Sequence, residues 1–265
     1  MSRTKEELAK AFRPAEFPRS AKYDVDWTIG HMMGPNVLWL TESLSGLMDL
    51  KPGMRVLDLG CGTAISSIFL AKEFDLEVWA TDLWVPASNN WERIREAGLE
   101  DRVFPIYAEA HSLPFAEAFF DAILSMDAYH YFGTDDLFLG NHLARFVRPE
   151  GQVGIVVPGL VQEFPTGNPP EHLEPHWYWD FASFHSPDWW RRHWERSGLI
   201  TVERADMMPD GWKHWMTSDS VSGEWKGEGS HAEMLRVDAG RNLGFTRMVA
   251  RRRREPRGHS LSGVS

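Results

Sequence analysis

The chain contains a single cysteine, Cys61, in 265 residues. That excludes an intrachain disulfide and leaves no thiolate cluster for a structural zinc. Long apolar runs are missing too. No segment approaches the roughly 18 residues that a membrane span requires. The opening stretch, Met1 to Lys10, is charged and helical in character, without the apolar centre of a signal peptide. Positive charge is in deficit: Lys plus Arg number 28 against 38 Asp plus Glu, for a net charge of -10. Nucleic-acid binding rests on neutralising phosphates, so an acidic chain without a basic patch interleaved with aromatics is not expected to do it. The run Arg251-Arg252-Arg253-Arg254 follows the last expected strand and reads as a solvated chain end. No internal repeat or long low-complexity tract occurs. These absences lead to the expectation of a soluble, cytoplasmic protein with no membrane or nucleic-acid partner. They leave the oligomeric state open.

What is present is an apolar fraction of 43%, enough for a substantial core in one large domain or one domain with a cap. The most informative stretch is Val56-Leu57-Asp58-Leu59-Gly60-Cys61-Gly62-Thr63-Ala64. It reads as an apolar strand that ends in an acid, turns through two glycines and enters a helix from Ile65 to Phe74. Glycine lets backbone N–H groups approach a ligand, and the helix N-terminus favours electron-rich groups. A carboxylate placed before the glycines accepts hydrogen bonds from a ligand ammonium and repels a pyrophosphate. Leu76 to Leu83 is a second short strand, and it carries Asp82 at its end. Asp82 lies about 20 residues beyond the turn, where a carboxylate binds a ribose diol. Arg102 to Ala110 reads as a third strand running into His111-Ser112-Leu113-Pro114-Phe115. Phe120 to Ala128 is a fourth, and Arg148 to Pro158 a turn with a fifth.

These signals, in this order, resemble the motifs of class I S-adenosylmethionine (SAM)-dependent methyltransferases. Within that class the chain resembles the broad small-molecule group that includes methyltransferase type 11 and the ubiquinone/menaquinone methyltransferases. The resemblance covers roughly Leu47 to Gly159. The usual first motif is acid-x-Gly-x-Gly-x-Gly, and here Ala64 stands in place of the third glycine. Ala108-Glu109 replaces the family's Gly-Asp before the Leu-Pro-Phe segment, which adds one methylene to the acid. The resemblance implies SAM as cofactor and S-adenosylhomocysteine (SAH) as product. It implies Asp58, Gly60, Cys61 and Gly62 around the methionine part, Asp82 and Leu83 at the ribose, Glu109 and Ala110 at the adenine, and Asp127 bordering the methyl. A plain strand–helix turn explains the glycines alone but not the succession of strands and acids. A nicotinamide-dependent dehydrogenase needs a small residue at position 65, and Ile65 argues against it. A nucleic-acid methyltransferase lacks support, since Asp127-Ala128-Tyr129-His130 does not match the Asn/Asp-Pro-Pro-aromatic motif.

The implied fold class is α/β. It is a Rossmann-like, seven-stranded, mostly parallel sheet with helices on both faces, an N-terminal helical extension and a lid formed by insertions. The expected divisions are 1–46 for the extension, 47–159 for the SAM-binding core, 160–240 for lid insertions with the sixth strand, and 241–265 for the last strand and a basic polar tail. A helix from Asp135 to Phe146 is expected between the fourth and fifth strands. The helix Pro187 to Ser197 has Ser186 as its N-cap and Gly198 as its stop.

Methyl transfer is an in-line displacement, and a base is needed only where the nucleophile must shed a proton. His130 is the expected base, because histidine titrates near neutrality, with Tyr129 beside it. Both residues can equally be read as shaping the pocket. His31, Trp177, Trp179, Trp212 and His214 are substrate candidates. Tryptophan faces attract cations, although packing within a lid explains most of these rings equally well. His176, His185 and His214 with nearby acids show no metal-ligand spacing, so no metal is expected. The reading is transfer of a methyl group from SAM to a small-molecule acceptor, an amine or aromatic metabolite. The alternatives are a SAM-binding sensor or scaffold without catalysis and, behind it, the nicotinamide-dependent oxidoreductase.

Overall fold

The computed structural model describes residues 3–226 and 232–254. Seven strands form one sheet in the order β3-β2-β1-β4-β5-β7-β6. They are β1 (Arg55–Leu59), β2 (Glu77–Asp82), β3 (Val103–Tyr107), β4 (Phe120–Met126), β5 (Val147–Leu160), β6 (Ile200–Met207) and β7 (Leu243–Arg252). β1 pairs in parallel with both β2 and β4, while β7 runs antiparallel to β5 and β6. The chain therefore winds outward from β1 to β3, then crosses back to β4. The crevice at the carboxyl ends of β1 and β4 is the switch point where open α/β sheets bind ligands.

Three helices precede the sheet: α1 (Lys5–Ala11), α2 (Val25–His31) and α3 (Val37–Ser45). Each begins on a side-chain cap. Thr4 and Glu7 form a capping box, Asp24 accepts from Trp27 N, and Asn36 accepts from Leu38 N and Trp39 N. Between the strands lie α4 (Ile65–Phe74), α5 (Ala87–Glu96) and α6 (Pro187–Glu195). Helix α6 starts on the Ser186 hydroxyl, and Gly198 takes the left-handed conformation (φ 70°) just beyond its end. The last helices are α7 (Gly211–Lys226) and α8 (Ala232–Asp238).

The pleat sends alternate residues of β1 to opposite sides. Val56 joins a core built with α1 to α4, and Leu57 and Leu59 join another that contains Trp190 and Trp194 of α6. A smaller cluster around Leu160, Leu173, Phe184 and Leu235 anchors the region after β5.

Two sequence expectations change. The stretch from Asp135 to Phe146 is not one helix but a π turn, Leu139–Leu143, followed by a 3-10 turn, Ala144–Phe146. The arginine run is not free in solvent. Arg251 bonds to Glu203 and Asp49, and Arg253 donates to Thr201 Oγ1. His214 of α7 packs on Phe17 and Trp39 of the N-terminal extension, and Trp215 stacks on Phe245 of β7. The polar tail beyond residue 254 lies outside the described residues.

Candidate functional site

A cavity of about 360 Å³ opens at the switch point, inside the range of about 300–1,000 Å³ that small-molecule sites use. Its floor is the turn after β1. Gly60 sits at φ 75°, and a Cβ there would come within 2.3 Å of Ala128 Cβ, so only glycine fits between the turn and the segment after β4. Ala64, at the usual third-glycine position, also lies in the left-handed region (φ 63°). Glycine adopts that conformation without strain, which explains the usual form of the motif.

Asp82, at the end of β2, is buried and lines the cavity. One carboxylate oxygen accepts from Gly62 N at 2.8 Å, and the other accepts from Trp84 N at 2.7 Å and Val85 N at 2.9 Å. The acid thus ties the glycine turn to the loop after β2. The first oxygen, bonded only to Gly62, keeps a lone pair for a further donor. Glu109 lines the same cavity beside Ala110 and accepts from the His111 backbone at 2.9 Å and the His111 ring at 2.6 Å. Its partial burial favours the neutral acid. The hydrogen bonds from His111 outweigh that and hold its carboxyl below the usual range.

Asp58 is placed differently from the expectation. It points to the α4 side of β1, is fully buried and does not line the cavity. The hydroxyls of Ser66 and Ser67 both donate to its Oδ2 at 2.6 Å, while Oδ1 has no partner. Burial raises its pKa to about 6 despite those two hydrogen bonds. Cys61 lines the cavity as a buried thiol whose pKa desolvation raises well above its ordinary value, which makes it a poor nucleophile.

The segment after β4 is sorted by a sharp turn. Asp127 adopts φ 55° while its N–H donates to Val156 O at 2.8 Å. Its carboxylate faces the cavity against Gly34, where a Cβ would lie 2.7 Å from Oδ2. No donor reaches that carboxylate among the described residues, and desolvation raises its pKa to about 7. The 3-10 turn Tyr129–Tyr131 then points its residues apart. Tyr129 is fully buried against Phe138, Trp190 and Trp194. His130 is buried beside Phe184, and burial depresses its pKa to about 4. Neither expected catalytic side chain lines the cavity, because the turn directs both into the core. Tyr131 does line it, and its ring lies 5.5 Å from that of Trp84 at the mouth. Sequence reasoning passed over both rings.

The substrate candidates also divide. His31 lines the cavity, its Nδ1 donates to Trp27 O at 2.7 Å, and its carbonyl accepts from Thr63 Oγ1 at 2.6 Å. Leu83 lines the cavity as well. Trp177 packs between Phe164 and Phe181, Trp212 lies against Gly240, and Trp179 is 89% exposed. With His214 behind α3, none of these four reaches the cavity. Among the described residues no group of three acids, histidines or cysteines is placed to hold a metal.

Residues 56–151 match the family model described as "Methyltransferase domain". That segment is similar to class I SAM-dependent methyltransferase domains. It is 32% identical over 119 residues to the 27-O-demethylrifamycin SV methyltransferase of Amycolatopsis mediterranei, covering 44% of this chain and 43% of that protein. It is 31% identical over 135 residues to the demethylmenaquinone methyltransferase of Corynebacterium efficiens, covering 51% of this chain and 54% of that protein. The chain thus spans about half the length of these curated relatives. A solved structure of Haemonchus contortus phosphoethanolamine N-methyltransferase 2 with SAM shares the fold. Its TM-score is 0.67 at 17% identity, covering 93% of this chain and 60% of that one.

SAM is the cofactor of this domain, and the cavity suits it. The glycine turn leaves room for close backbone approach, the Asp82 carboxylate has a lone pair for a hydroxyl donor, and Glu109 lines the same cavity as an ionised acceptor. Among the described residues no helix is long and apolar enough to cross a membrane.

Proposed function

We propose that this protein transfers a methyl group from SAM to a small-molecule acceptor and releases SAH. The observation that carries the reading is convergence. One cavity gathers the glycine turn after β1, Asp82 after β2, Glu109 and Ala110 after β3, and Asp127 after β4. Bound SAM supplies a methyl carbon activated by its sulfonium. In this reading Asp82 accepts from the ribose hydroxyls, Glu109 and the Ala110 N–H meet the adenine edge, and the Gly60 to Gly62 backbone cradles the methionine end with Cys61 and Leu83 alongside. Asp58 acts from beneath that turn, through Ser66 and Ser67 rather than by direct contact. Asp127, Ala128 and Tyr131 border the reacting carbon, and Met33, Trp84 and Tyr131 screen it from water.

The lining also bears on the acceptor. Among the described residues it includes Asp82, Glu109 and Asp127 but no lysine or arginine. An anionic acceptor would meet like charge without a counter-ion, at a cost of several kcal/mol. A neutral aromatic or an amine suits the cavity better, entering between Trp84 and Tyr131. Where the acceptor's N–H or O–H proton must leave, Asp127 takes it in place of His130. Asp127 is unpartnered inside the cavity, and His130 lies outside it. Holding the acceptor in line with the methyl is the other contribution of the walls.

A second reading, a SAM-binding protein without methyl transfer, draws on the burial of Tyr129 and His130 away from the cavity. SAH release with amine, phenol and carboxylic-acid panels decides between the two. The transfer reading expects turnover with amines or phenols and none with carboxylic acids. Tight SAM binding with no turnover on any panel supports the second reading, and turnover confined to anionic acceptors overturns the charge argument.

A further inference from the structure

Helix α5 runs behind the cofactor loop and presents two polar residues to it. Asn90 is 1% exposed, on the same face as the buried Ile94. Its side-chain N–H donates to Gly62 O at 2.9 Å, and its Oδ1 accepts from Arg93 Nη2 at 2.6 Å. The Nε of Arg93 donates to Thr63 O at 2.9 Å. Consecutive carbonyls of the loop are thereby held toward α5. Gly62 is fixed at both ends, since its N–H donates to Asp82 Oδ2 at 2.8 Å. Thr63 is tied as well, through its hydroxyl, to the carbonyl of His31.

We infer that Asn90 and Arg93 are positioning residues that preset the cofactor loop. A peptide unit cannot turn its C=O to one side without turning its N–H, so anchoring the Gly62 and Thr63 carbonyls on α5 fixes where the loop's amides face. A loop ordered before the ligand arrives avoids the ordering cost on binding. Neither side chain touches the cavity, so the pair acts on cofactor affinity through the loop and leaves the chemical step unchanged. Asn90, with both ends of its amide satisfied, is also the one polar residue of α5 that is buried. Burial of that kind is costly without such partners.

The inference rests on the SAM-binding reading of the same cavity, and the test separates the two. Wild-type protein is titrated with SAH by calorimetry, followed by Asn90→Asp, Asn90→Ala, Arg93→Met and Arg93→Lys, with a melting curve for each. Asn90→Asp keeps the shape and the acceptor for Arg93 but turns a carboxylate toward the Gly62 carbonyl. The expected result is a Kd for SAH raised roughly tenfold or more in Asn90→Asp and Arg93→Met, as when a buried acceptor loses its donor. Arg93→Lys recovers part of the loss, because lysine still donates. The KM for SAM rises while kcat at saturating SAM holds, and amide exchange accelerates at residues 60–64 while the rest of the sheet stays protected. Asn90→Ala is read the same way if it folds, and Asn90→Asp decides if it does not. Wild-type affinity in Asn90→Asp and Arg93→Met, or a fall in kcat with KM unchanged, overturns the positioning role. Absence of SAH binding by the wild type overturns the cofactor reading instead.

Discussion

The two ends of this chain use their unusual residues in opposite ways. Around the cofactor loop, polar side chains meet backbone. Asp82 accepts three backbone N–H bonds, and Asn90 and Arg93 hold two carbonyls. In the region after β5, aromatic side chains meet each other. Trp190 and Trp194 are fully buried on α6 against Tyr129, while Trp177 packs among phenylalanines. The first arrangement spends its hydrogen bonds on shaping a cavity, and the second spends its surface on holding the sheet's far side. A residue of striking type therefore says less about function than what its polar atoms face.

The largest expected break of this contrast is in α6. Trp194→Ala should cost about 3–5 kcal/mol of stability, read from urea denaturation, with SAH affinity unchanged in the folded fraction. Loss of affinity without loss of stability would place Trp194 in the site rather than the core. Asp82→Ala should do the reverse. SAM binding weakens by about 1.5–3 kcal/mol, the value of charge-assisted hydrogen bonds, and calorimetry that finds full affinity removes Asp82 from the ribose site.

Two pH experiments sharpen the comparison between the residues that follow β4. The pKa of Asp127 is raised to about 7, so its base form grows as pH rises through that value. Turnover at saturating substrates should climb between about pH 6 and 8 in the wild type, and Asp127→Asn should abolish the climb with most of the rate. A wild-type limb that persists in Asp127→Asn would assign the proton to another group. His130 has its pKa depressed to about 4 from 6.5. Its contribution to stability is fully present above about pH 6.5 and is lost as pH falls toward 4, because the unfolded chain binds the proton first. His130→Phe should flatten that part of the melting-temperature profile and leave turnover near the wild-type level. The smallest effect is expected at Trp179, where exposure of 89% keeps Trp179→Ala within about 0.5 kcal/mol of wild type.

Much of the fold was legible because strand ends announce themselves. Asp58-Leu59-Gly60 and Asp82 each close an apolar run, the turn at Glu150-Gly151 opens one, and their order implied the sheet that is seen. Side-chain direction was less legible. Asp58 follows the pleat to the α4 side, and the left-handed turn at Asp127 sends Tyr129 and His130 inward while Tyr131 emerges. A single positive φ, unmarked by glycine, decides which of three neighbouring rings meets the cavity. The tryptophan substrate candidates missed the cavity for another reason. Tryptophan clusters look alike in sequence whether they cover a ligand or a sheet. Asn90 did leave a trace, four residues before Ile94 and hence on the buried face of α5. Read that way, it is a polar group that must find partners.

Calorimetric titration of the protein with SAM and SAH, with NAD as control, tests the central claim most directly. The account predicts micromolar binding of both sulfur nucleotides and none of NAD. Failure of both to bind, or retention of NAD alone, would contradict the assignment of the β1–β4 crevice as a SAM site.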